Sequence, residues 1–196
     1  ILDDPAPPIA AYLTLGMEHL LFGIDHILFV VGLVLFIPNR WMLLKTITAF
    51  TAAHSITLAL SVLEVVKLPQ QPVEVIIALS ILFLARELML PPTERSALMV
   101  IRPWLMAFTF GLLHGFGFAG SLADIGLSRE ALGWSLLLFN LGIEAGQLLI
   151  ITVMLTIAWF IKRSNLLQAP GWQFTFTFVM GSVAAYWTID RITAVF

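Results

Sequence analysis

The sequence predicts an all-α polytopic membrane protein, a six-helix transmembrane bundle with both termini extracytoplasmic. Three observations carry this. Hydrophobic residues make up 60% of the 196-residue chain and charged residues only 11%, against roughly a quarter charged in an ordinary soluble domain. The apolar residues gather in six runs, each near the ~20 residues a helix needs to cross a hydrocarbon core. Between the runs stand prolines and small polar residues, the usual punctuation of helices. Residues 1–196 read as a single transmembrane helical domain, with no second soluble unit.

The spans are expected at 11–36, 42–66, 73–90, 103–122, 131–161 and 172–192. Asp3, Asp4, Pro5, Pro7 and Pro8 form a polar lead-in to the first. No basic region precedes that first apolar run, and the lead-in is expected to follow a removed signal peptide or larger N-terminal region. Pro38 and Asn39 close the first span, and prolines at 69 and 72 separate the second from the third. Pro91 and Pro92 end the third, the polar stretch 124–129 ends the fourth, and 164–171 ends the fifth. The fifth run is longer than a crossing needs, so it is expected to tilt or to project past the bilayer at its Ile161 end.

Basic residues set the direction. Arg40, Lys45, Arg86, Arg95, Arg102, Lys162 and Arg163 flank the first, third and fifth connections, leaving Lys67, Arg129 and Arg191 for the other side. By the positive-inside rule the first group is cytoplasmic, in an inner (plasma) membrane, with multiple passes. Trp41, Trp104, Trp134 and Trp172 stand near span ends, as an interfacial aromatic belt requires. Net charge is −2 and no basic cluster is present, so a nucleic-acid partner is excluded; membrane lipids are the expected surroundings.

Ionisable groups inside these spans are costly and are by default functional. The stretch from Gly16 to His26 holds His19 and His26 with Glu18 and Asp25; His54, His114 and Glu144 lie near the middle of the second, fourth and fifth spans. On a continuous helix His19 and His26, seven apart, share a face with Gly23 between them. Asp25 points elsewhere and is expected to orient an imidazole on an adjacent helix. Thr51, His54 and Ser61 fall at helical spacing, with Ser55 and Thr57 nearby; the bland alternative is that these hydroxyls join helices. Gly111 and Gly115 form a GxxxG step around His114, suited to close packing or to local unwinding at a site. Asn140, Glu144 and Gln147 form one polar stripe on the fifth span. Glu64, Glu74, Arg86, Glu87, Asp190 and Arg191 lie near span ends and are expected to anchor at the interface.

The chain has no cysteine, so disulfides and thiolate ligands are excluded, and the donors are imidazole, carboxylate and amide oxygen. That set suits a divalent transition metal ion, with nickel, cobalt and zinc as candidates. The expected ligands are His19, Asp25, His26, His54, His114 and Glu144, supported by Asn140, Gln147 and Ser55. Spans one to three and four to six run in opposite directions, as an inverted repeat would have them, with spans one and four, and two and five, as symmetry mates.

The string His19-Leu-Leu-Phe-Gly23-Ile-Asp25-His26, followed by Gly32, resembles the HxxxGxDH…G signature of the HupE/UreJ family. His54 in Thr-Ala-Ala-His-Ser, His114 in Leu-Leu-His-Gly-Phe-Gly-Phe, and Asn140 to Glu144 in Asn-Leu-Gly-Ile-Glu are similar to its later motifs. The resemblance implies a hydrogenase or urease accessory membrane protein regarded as a nickel or cobalt permease, with His19, Asp25 and His26 on the metal pathway. The leading expectation is therefore transport of the ion through a site near the bilayer midplane. The alternative is an intramembrane zinc-type hydrolase acting on a lipid or membrane peptide, with Glu144 or Asp25 in catalytic roles. A third class is a structural or sensory subunit whose histidines report pH.

Overall fold

The computed structural model describes residues 9–117, 132–164 and 171–195. The lead-in prolines, the end of the fourth expected span at 118–122, the connection bearing Arg129 and the stretch 165–170 lie outside the described residues. Helices follow one another as α1 (Ile9–Phe22), α2 (Ile24–Phe36), α3 (Arg40–Val62), α4 (Gln70–Met89), the short α5 (Ala97–Ile101), α6 (Pro103–Gly117), α7 (Leu132–Ser164) and α8 (Trp172–Thr193). Among the described residues every regular element is helical. Asn39 starts α3 by accepting the Met42 N–H at 3.0 Å, which satisfies one otherwise orphaned helix donor. Pro103 opens α6, where its missing N–H costs nothing.

The first expected span is not one helix. It breaks at Gly23, and the two halves meet at 75°. Gly23 adopts an extended conformation (φ −76, ψ 95), while its N–H still reaches His19 O and its carbonyl still receives Ile27 N–H, each at 3.0 Å. A Cβ at Gly23 would lie 2.7 Å from His26 Nδ1 and 2.8 Å from His19 O. The bend therefore needs the missing side chain, and glycine is a usual origin of sharp kinks. Continuous apolarity on both sides concealed it from a reading by composition.

By length and composition, α3 and the Leu132–Phe160 part of α7 are each able to cross a membrane, and the bent pair α1–α2 would make a third crossing. The other expected spans fall short of that test for identifiable reasons. Glu74, Arg86 and Glu87 interrupt α4, and α6 has 15 described residues. Phe22, Ile24, Leu137, Leu141, Val153, Phe174, Phe178 and Ile189 are all exposed. Apolar surface on that scale fits a protein surrounded by lipid.

Helices pack chiefly in three pairs: α3 with α6, α1 with α7, and α4 with α8. Small residues set the first two. A Cβ at Gly111 would strike the Phe50 carbonyl, one at Gly115 the Thr57 hydroxyl and His54 carbonyl, and one at Gly16 the Phe139 carbonyl. This is the close backbone approach that small residues allow between membrane helices. Phe29, Leu33, Phe50, Ile81, Leu84 and Met180 fill the larger core, and Leu20, Leu58, Leu136, Phe139 and Ile143 a smaller one. Where these cores meet, the four histidines stand.

Candidate metal centre

Each histidine arrives on a different helix. His19 ends α1, His26 begins α2, His54 sits in α3 and His114 in α6. On a straight helix His19 and His26 would be about 10.5 Å apart along the axis; the bend at Gly23 brings their ring centres to 4.7 Å. Gly115 lets α6 settle onto the His54 carbonyl, which carries the neighbouring His114 into the same region. Ring centres are 5.3 Å apart for His26 and His114, 6.2 Å for His19 and His54, and 6.3 Å for His26 and His54. An ion held tetrahedrally by imidazole nitrogens at about 2.0–2.1 Å sets ring centres about 5 Å apart. The spacing is thus compatible with a shared ion. Among the described residues, however, no three His, Asp or Glu side chains converge as a formed ligand set.

The rings are held in particular tautomers. Asp25 Oδ1 accepts the His26 backbone N–H at 2.9 Å and lies 3.1 Å from its ring Nδ1. That contact puts the ring proton on Nδ1 and leaves Nε2 as a lone pair. Asp25 thus orients the residue next to it, not an imidazole on a neighbouring helix. Ser80 Oγ donates to Ile77 O at 2.7 Å and lies 3.0 Å from His114 Nε2. Since its hydroxyl proton is directed to Ile77, Ser80 accepts from Nε2–H, and His114 Nδ1 becomes the free acceptor. Those two nitrogens, His26 Nε2 and His114 Nδ1, are buried without a hydrogen-bond partner among the described residues, as are both ring nitrogens of His54. His54 is 0% exposed, His114 1% and His26 6%. Buried polar atoms in proteins are nearly always hydrogen-bonded, so several bare imidazole nitrogens in one region fit an N/O-binding cation.

His19, Asp25, His26 and His114 line a cavity of about 170 Å³. His54 stands behind its wall. Gln70, Glu74 and Arg191 are also in the lining, although sequence position marked Glu74 and Arg191 as interfacial anchors. Only the folded pairing of α4 with α8 brings these two to the cavity. Ser80 also went unmarked: a lone serine in an apolar helix carries no signal until its partner is known.

Glu144 is not with the imidazoles. It accepts the Thr48 hydroxyl at 2.7 Å, and Thr48 precedes His54 by about 9 Å of helix. Gln147 accepts from Thr51 at 2.9 Å, Asn140 Nδ2 donates to Leu136 O at 2.7 Å, and Ser55 donates to Thr51 O at 2.8 Å. Glu144 and Gln147 therefore join α7 to α3, whereas Asn140 and Ser55 are each occupied by their own helix. Similar depth in the membrane did not make these residues share a face with the histidines.

No curated protein and no solved structure matches this chain. The family described as HupE / UreJ protein matches over residues 1–191. With nearly its whole length covered, motif stretch and helical bundle together, the chain belongs to the HupE/UreJ family of membrane proteins.

Proposed function

We propose that this protein moves a divalent transition-metal ion, nickel or cobalt, across the inner membrane by way of His19, Asp25, His26, His54 and His114. The single observation that carries the reading is the set of buried ring nitrogens of His26, His54 and His114 without hydrogen-bond partners among the described residues, beside a cavity that reaches the surface. The family's association with nickel and cobalt supports the choice of ion. In the proposed topology α1 and α2 together make the first of six spans, followed by α3, α4, α6, α7 and α8. Both termini are extracytoplasmic. The start of α4 and the ends of α6 and α8, which bear the outer cavity residues, then share the extracytoplasmic side.

His19 is the first imidazole to meet the ion in this scheme. His26 and His114, pre-set by Asp25 and Ser80, present their lone pairs next, and His54 lies deeper. Support from an anion or hydroxyl behind a ligating histidine fixes its orientation and raises its basicity. The hydrolase alternative assigned Glu144 as general base; engaged with Thr48 away from the cavity, it gives that reading no support.

Metal analysis of purified protein tests the proposal. Wild type is expected to retain nickel or cobalt, with His26→Ala and His114→Ala each lowering affinity by about 10- to 100-fold. Equal metal content in all three would overturn it. Uptake into proteoliposomes then separates transport from static binding, since flux no greater than that of empty vesicles would contradict the transport reading.

A further inference from the structure

We infer that Glu74 is the outer capture ligand of this pathway and that Arg191 is its built-in competitor, so that the two form a cation-exchange gate over the histidines. This rests on the transport reading above. Three helix ends meet at the rim of the cavity: the first turns of α4, the end of α6 and the last turn of α8. Gln70 Nε2 donates to Glu74 Oε1 at 3.0 Å and also to the Gly117 carbonyl, tying α4 to α6. Arg191 ties α4 to α8, donating through one terminal nitrogen to the Glu74 backbone carbonyl at 2.9 Å. Its Nε lies 3.7 Å from Glu74 Oε2.

That last distance matters. At 3.7 Å the guanidinium balances the carboxylate's charge without making a proper hydrogen bond, for which about 2.7–2.9 Å is usual. Oε1 is occupied by Gln70, whereas Oε2 makes no hydrogen bond among the described residues. Glu74 thus keeps one oxygen available on the cavity lining, half-buried, ahead of the buried rings. A guanidinium does not lose its proton at accessible pH, so Arg191 stays a cation and an incoming ion must compete with it for the carboxylate.

A divalent ion carries twice the charge of Arg191 and takes carboxylate oxygen directly as a ligand. A monovalent ion offers no such advantage over the resident cation. Displaced from the carboxylate, the guanidinium retains two contacts, the Glu74 carbonyl and the Trp187 ring, whose centroid is 5.6 Å away. From Glu74, α4 leads past Ile77, which also lines the cavity, to Ser80, about 9 Å further along the helix, which holds His114. The gate carboxylate and the serine that holds His114 therefore share one helix.

The test is the rate at which purified full-length protein in lipid nanodiscs takes Ni(II) from a chelating dye, followed by stopped flow, with equilibrium nickel content as the companion measurement. Glu74→Gln keeps the Gln70 hydrogen bond but removes the charge. It is expected to slow association about tenfold, in line with the loss of electrostatic attraction at a cleft mouth. Release slows in parallel, so equilibrium content is unchanged. Arg191→Gln is expected to speed association severalfold and to make it sensitive to competing potassium, to which wild type is indifferent. Rates unchanged in both variants would overturn the gate, and so would loss of equilibrium nickel in Glu74→Gln, which would make that carboxylate part of the inner site or of the fold. Absence of nickel from wild type would instead remove the transport reading and the gate with it.

Discussion

The pair α3–α6 and the pair α1–α7 are built alike, yet only one of them carries a histidine on both of its helices. In both, a glycine rests on the carbonyl of a buried phenylalanine: Gly111 on Phe50, Gly16 on Phe139. In both, a histidine follows that glycine by three residues, His114 in one case and His19 in the other. The receiving helices match as well. Thr46, Phe50 and Thr51 on α3 are buried at the same spacing as Ser135, Phe139 and Asn140 on α7. Four residues after its phenylalanine, however, α3 presents His54 where α7 presents Ile143. The packing frame occurs twice, a histidine on both of its helices once. Close helix approach is thus a property of small residues, independent of the chemistry placed upon it. Exchange of spans one with four and two with five would convert one pair into the other, the relation an inverted repeat predicts.

If the frame is shared, breaking it should cost both pairs equally. Gly111→Leu and Gly16→Leu each drive a side chain into a carbonyl that is not free to withdraw. Each is expected to destabilise the protein by about 3 kcal/mol, the upper end of ordinary overpacking. Thermal midpoints in detergent, read by the loss of monodisperse protein, provide the measure. A large drop for one variant and none for the other would break the equivalence.

The chemical half of the comparison calls for a milder change. Ser80→Ala removes the acceptor that fixes the His114 tautomer, on the α3–α6 side. Nickel affinity is expected to fall about tenfold, as for other outer partners of metal-bound histidine. Gln147→Leu removes a buried partner of Thr51 on the side of α7, and the Thr51 hydroxyl still reaches Ile47 O at 3.2 Å. Here stability should drop by about 1 kcal/mol, with affinity unchanged. Calorimetric titration and thermal melting of both variants would expose any exchange of these roles.

Sequence alone was sufficient for the helical class, and it singled out the four histidines because an imidazole within an apolar run has few reasons to be there. The same rule singled out Glu144, which the structure places on the α3–α7 contact. Depth along a span is readable from residue number, but the neighbour on the facing helix is not, and Thr48 proved to be that neighbour. The kink at Gly23 lacked a proline to announce it. Ser80 and His114 are 34 residues apart, and Glu74 and Arg191 117; contacts at that range depend on which helices pair, a fact of the assembled bundle. Glu74 and Arg191 were legible as charges near span ends but not as two sides of one cavity.

The smallest effect belongs to the residue that composition made most conspicuous. Glu144→Gln retains a side-chain oxygen able to accept from Thr48, so the α3–α7 contact survives with a neutral acceptor in place of a charged one. A hydrogen bond to a charged group contributes about 1 kcal/mol more than a neutral one, and the half-exposed position of Glu144 reduces that difference. Stability should therefore shift by under about 1 kcal/mol, and nickel affinity by less than twofold. If calorimetry instead finds a loss comparable to that of His26→Ala, Glu144 belongs with the imidazoles. The α1–α7 pair would then contribute a second ligand beside His19, and the asymmetry between the two pairs would vanish.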